Sequence, residues 1–88
     1  MSDLPPPSPH VVHRRIDDDV VLVNLRTNEI HALNETGARI WELLVEGRSR
    51  AAIESALLEE YDVPPTELAS EMDTLLHRLR EVGAVEAS

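Results

Sequence analysis

The sequence predicts an α+β domain in which a three-stranded antiparallel sheet comes first and three helices follow. Two observations carry that prediction. Between residues 11 and 33 the apolar residues fall in short, β-branched runs separated by acidic or polar turns, and from residue 35 onward they recur every three or four positions. Eighty-eight residues hold one small core, and with Trp41 and Tyr61 as the only aromatics that core is built from Leu, Val, Ile and Ala.

Residues 1–10, MSDLPPPSPH, read as a flexible proline-rich tail that brings no packing surface to the domain at 11–88. Val11 to Ile16 forms a short first strand, and Asp17, Asp18 and Asp19 break the apolar pattern in a turn. Val20 to Leu25, VVLVNL, is the most strand-like stretch. After it comes RTNE, where Asn28 suits the left-handed conformation of a tight turn. Residues 29 to 33 return as a third strand with one free edge.

The first helix runs from about Glu35 to Glu46, with Asn34 or Thr36 as N-cap and Gly47 just past its end. Ile40, Trp41, Leu44 and Val45 give it an apolar face, with Trp41 in the core. Ser49 caps a second helix that buries Ile53, Ala56, Leu57 and Tyr61. Pro64 and Pro65 end that helix and open a third, from about Pro65 or Thr66 to Val82, with Gly83 as its stop. Three short-linked helices beside a hairpin describe a winged helix-turn-helix-like arrangement, which does not fix function.

Several function classes are disfavoured by composition. No cysteine is present, so disulfides, thiolate zinc sites and a cysteine nucleophile are excluded. No apolar run approaches the roughly 20 residues that span a bilayer, and the N-terminus lacks the features of a signal peptide, so a cytoplasmic location is expected. The net charge of −9, from 17 acidic and 8 basic residues, opposes binding to a phosphate backbone. The third helix sets Glu67, Glu71, Asp73 and Glu81 against Arg78 and Arg80, the wrong balance for reading DNA.

No constellation for catalysis emerges. His10, His13, His31 and His77 are dispersed, the Asp17–Asp19 run lacks the further ligands and glycine of a calcium loop, and no Ser or Thr has a His–acid arrangement. No metal, cofactor or enzymatic activity is expected.

From Val20 onward the chain resembles a known family. An acidic turn, VVLVNLRTNEIHALNETGARIWELL, and then EGRSRAAIESALLEEYDVPPTELASEMDTLLHRLREVGAVE, match the ordered pattern of PqqD-like domains, also called RiPP recognition elements. That pattern is strand, polar turn, strand ending in Leu-Asn, a small residue, helix carrying Ile-Trp or Ile-Leu, second helix, Tyr-Asp-Val loop, third helix and a closing Gly-Leu-Val or Gly-Ala-Val. One departure is that Ile30 and His31 stand where family members often carry an aromatic.

The resemblance implies a non-catalytic module that binds the leader peptide of a ribosomally made precursor and delivers it to a modifying enzyme. It implies that the leader adds as an extra strand to the free edge of the third strand, in a groove against the third helix. Glu29, Ile30, His31, Ala32 and Leu33 would then form the pairing edge. Leu68, Met72, Leu75, Leu76 and Leu79 are candidates for the groove floor, with Asp73, Arg78 and Arg80 as its polar rim. Helical spacing by itself makes each of those leucines a core residue before it makes it a site residue. A stand-alone element is expected, serving lasso-peptide or pyrroloquinoline quinone biosynthesis, with a protease and cyclase or a radical SAM enzyme as partner. The LNETGARIWELL form is closer to the lasso-type members. The alternatives are a winged-helix transcription regulator and a small structural or dimeric adaptor.

Overall fold

The computed structural model describes residues 4–86. Its elements are β1 (Val11–Ile16), β2 (Asp19–Asn24), β3 (Glu29–Leu33), α1 (Glu35–Val45), α2 (Arg50–Glu60) and α3 (Pro65–Glu81). The strands form one antiparallel sheet in the order β1-β2-β3.

Local chemistry explains the boundaries. Asp17 takes φ 56°, which makes Asp17-Asp18 a two-residue turn and lets Asp19 pair with Ile16, so β2 begins inside the acidic run. Asn28 adopts φ 64° in the second turn, and its N–H donates to the Asn24 carbonyl at 2.7 Å. Asn34 Oδ1 accepts from Gly37 N–H at 2.9 Å and caps α1, and Ser49 Oγ accepts from Ala52 N–H at 3.2 Å and caps α2. Pro65 opens α3, where a missing N–H costs nothing.

Alternation along the strands sends Val20, Leu22, Asn24 and Leu33 inward, where all four are buried. The helices meet them with Ile40, Trp41 and Leu44 from α1, Ile53 and Leu57 from α2, and Leu68, Met72 and Leu79 from α3. Fully burying one such side chain contributes about 1.5–3 kcal/mol. Trp41 is 1% exposed, and its ring meets that of His13 edge-on at 6.2 Å.

Ion pairs lace the outer surfaces of the helices. Arg39 of α1 grips Glu60 of α2 through two bonds of 2.9 and 3.0 Å. That hydrogen-bonded contact holds the Glu60 carboxyl below, and the Arg39 guanidinium above, their ordinary pKa values. Arg15 of β1 pairs with Glu42 of α1.

Residues 4–10 differ from the sequence expectation of a tail without packing surface; residues 1–3 of that segment lie outside the described residues. Leu4 packs against the core. Ser8 N–H donates to the Ala84 carbonyl at 2.8 Å, Glu86 N–H donates to the Pro6 carbonyl at 2.9 Å, and Pro7 bridges Val85. The reason is that proline lacks a donor but keeps its carbonyl, so a proline-rich segment can still accept bonds from a neighbouring strand.

Candidate functional site

The register of the sheet determines which backbone groups of β3 are free. Leu25 N–H donates to the His10 carbonyl at 2.8 Å, so Leu25, and by alternation Val23 and Val21, turn their backbone groups toward β1. Asn24, Leu22 and Val20 therefore face β3, opposite Glu29, His31 and Leu33. That leaves the N–H and C=O groups of Ile30 and Ala32 on the open side of β3, which pairs with no further strand among the described residues. An extended peptide could close its ladder there.

Two hollows lie at the two ends of β3. The first, about 380 Å³, lies between the end of β3, the start of α1 and one face of α3. Ala32 and Leu33 line it from β3, Thr36, Gly37 and Ile40 from α1, and Ser70, Glu71, Thr74, Leu75 and Arg78 from α3. Gly37 packs closely on the α1 cap: a Cβ there would lie 3.3 Å from Asn34 Oδ1 and 3.5 Å from Leu33 Cβ. The second hollow, about 440 Å³, lies at the start of β3. Its walls include Ser8 and His10, the turn residues Arg26 and Thr27, Glu29, and Arg80 to Gly83 at the end of α3.

Buried Asn24 holds the second hollow together. Its Oδ1 accepts from Arg26 N–H at 2.9 Å and Thr27 N–H at 3.3 Å, and its Nδ2 donates to the Val82 carbonyl at 3.0 Å. One side chain thus ties the β2–β3 turn to the C-terminus of α3. Gly83, at φ 74°, leaves room for it, since a Cβ there would lie 3.0 Å from Asn24 Nδ2.

The residues expected from the sequence separate into distinct groups. Ala32, Leu33 and Leu75 line the first hollow; Glu29 and Arg80 line the second. Ile30 is 68% exposed with its side chain on the outer sheet face, and His31 points inward, half-buried, with Nε2 3.9 Å from Glu29 Oε2. Leu68, Met72 and Leu79 are at most 1% exposed and have no surface to offer a groove. Leu76 is likewise buried and lines neither hollow. Asp73 is engaged elsewhere: it accepts an ion pair from Arg50 of α2 at 2.7 Å, the main reason the Arg50 pKa is raised.

Thr36, Gly37, Ile40, Ser70, Glu71 and Thr74, which also line the first hollow, were not singled out by the sequence as site residues. A signal for part of the set existed: Ser70, Thr74 and Arg78, spaced by four, form a second stripe beside the apolar one on α3. Among the described residues no group of His, Cys, Asp and Glu could hold a metal ion, and no helix is long and apolar enough to cross a membrane.

A family model described as coenzyme PQQ synthesis protein D (PqqD) matches residues 19–85. The chain belongs to the PqqD family. Two solved structures are similar to this PqqD-family chain over nearly their whole lengths. One is TbiB1 in complex with the TbiA(beta) leader peptide, 33% identical, with a TM-score of 0.87 over 100% of this chain and 98% of that one. The other is lasso peptide synthetase B1 complexed with the leader peptide, 30% identical, with a TM-score of 0.84 over 92% of this chain and 95% of that one. Among curated proteins, none matches the chain.

Proposed function

We propose that this chain is a peptide-recruiting module that binds the leader segment of a ribosomally made precursor and presents it to a separate modifying enzyme. The observation that carries this reading is the open edge at Ile30 and Ala32, flanked by a hollow between β3, α1 and α3. Strand addition draws affinity from main-chain hydrogen bonds, and alternate side chains of the added strand reach the flanking hollows for selectivity. Ala32, Leu33, Thr36, Gly37, Ile40, Thr74 and Leu75 offer the peptide an apolar and small-polar seat. The module itself performs no chemistry in this reading.

Two similar structures hold leader peptides, and one is named a lasso peptide synthetase component, which favours the lasso-type pathway over the quinone type. A winged-helix regulator has no support from any comparison, and the acidic α3 opposes it.

The test is a titration with a synthetic leader peptide from a precursor gene neighbouring this one, followed by calorimetry or fluorescence anisotropy. Binding at micromolar strength or better is expected. Absence of binding by the unaltered, folded chain rejects the reading.

A further inference from the structure

The arginines of this chain divide in an informative way. With 17 acidic residues for 8 basic ones, no arginine lacks a carboxylate for want of supply. Arg15, Arg39, Arg48 and Arg50 each meet one. Arg14, Arg26, Arg78 and Arg80 make no ion pair among the described residues. Three of these four line the two hollows at the ends of β3: Arg78 the first, Arg26 and Arg80 the second.

From this distribution, and resting on the peptide-recruiting reading above, we infer that the second hollow is a subsite for an acidic residue of the bound peptide, held by Arg26 and Arg80. Two guanidinium groups that line one hollow and make no ion pair among the described residues can both donate to one carboxylate placed between them, which gains charge-assisted bonds. The placement is set by structure at both ends. Asn24 clamps the turn that carries Arg26 and also holds the end of α3 beside Arg80, so the two arginines belong to one braced unit.

The two glutamates on the same hollow sharpen the ligand class. Glu81 lies 2.9 Å from His77 and Glu29 lies 3.9 Å from His31, and neither makes an ion pair with an arginine among the described residues. Their charges nonetheless cancel the wider attraction of the hollow for free anions or a nucleic-acid backbone. A carboxylate that the β3 edge has already brought to the spot needs no long-range attraction. The subsite therefore suits an Asp or Glu on an added strand, at the end of the peptide that passes the start of β3.

The experiment uses the full chain and a fluorescein-labelled synthetic leader peptide from the precursor encoded beside it. Each Asp and Glu of the peptide is replaced singly by its amide, and binding is measured to the unaltered chain and to Arg26→Glu and Arg80→Glu, with folding checked by circular dichroism. The expected result is one peptide position whose amide weakens binding about three- to tenfold. Each arginine variant should weaken the acidic peptide by as much or more and lose sensitivity to that position. A Glu→Arg or Asp→Arg peptide at the same position should restore binding to Arg80→Glu. If the unaltered chain binds the peptide and neither arginine variant changes affinity, or the loss is the same for every peptide, the subsite is rejected while peptide recruitment stands. If the unaltered, folded chain does not bind, the recruiting reading fails and the subsite fails with it.

Discussion

At the end of β3 the first hollow is lined largely by small and aliphatic residues such as Ala32, Gly37, Ile40 and Thr74, with Glu71 and Arg78 on its α3 side, whereas the second, at the start of β3, is lined by Arg26, Arg80, Glu29, Glu81 and a turn held by Asn24. The first hollow lies between the end of β3, the start of α1 and one face of α3. The second owes its shape to one buried amide that bonds two elements at once. In the proposed reading one end selects by fit and the other by charge, while the open backbone groups of Ile30 and Ala32 between them are indifferent to sequence.

The contrast depends first on the core beneath it staying out of the groove. Met72→Ala is expected to lower stability by about 2–5 kcal/mol, read from denaturant unfolding, because a fully buried side chain leaves a cavity. Peptide affinity at temperatures where the variant is folded should stay within about twofold of the parent, on the order of the coupling seen between separate sites.

The edge itself can be broken in two distinguishable ways. Ala32→Pro removes an N–H that faces the open side, so the fold should survive and peptide binding should fall at least about tenfold. His31→Pro removes an N–H that faces β2 and should cost about 3 kcal/mol of stability instead. Equal effects of the two on folding would show that the register assignment is wrong.

Smaller changes separate the two hollows. Thr74→Trp fills the first one and should weaken the peptide roughly tenfold at low and high salt alike, since the loss is steric. The loss caused by Arg80→Glu should instead shrink as salt is raised from low ionic strength to about 1 M, where the Debye length falls to ~3 Å. Calorimetric titration at both salt concentrations makes the comparison.

The smallest effect lies away from the groove. Glu60 has its pKa depressed by Arg39, so its contribution to stability is complete above the ordinary glutamate range and is lost as pH falls through the lowered value. Glu60→Gln should flatten that part of the acid-unfolding profile, with peptide affinity near neutrality unchanged, as measured by circular dichroism melts across the acid range.

Much of the fold was legible in the sequence because its signals are local. Strand runs expected at Val11–Ile16 and Val20–Leu25 (the latter observed as Asp19–Asn24), the Asn34 and Ser49 caps, and the Pro65 helix start each depend on a few adjacent residues. Of the proposed site, the sequence pattern pointed to the edge strand that the structure leaves open and to few of the residues lining the hollows. Periodicity grouped Leu68, Met72, Leu75, Leu76 and Leu79 into one stripe, but Leu75 alone of these lines the first hollow. A stripe tells which residues share a face and not which part of that face another element covers. Asp73 shows the same limit, since nothing local in α3 reveals that Arg50 stands opposite.

By itself, the sequence determined the order of elements, an aliphatic core, an acidic body and a third strand that ends a sheet, because propensity, capping and alternation act over a few residues. Only the tertiary structure decided that Ile30 and Ala32, and not His31, leave their backbone groups unpaired, since that follows from the bond between Leu25 and His10 two strands away. It alone brought Arg26 and Arg80, more than half the chain apart, to one hollow. Register and juxtaposition are properties of packed elements, and packing is settled by the whole chain at once.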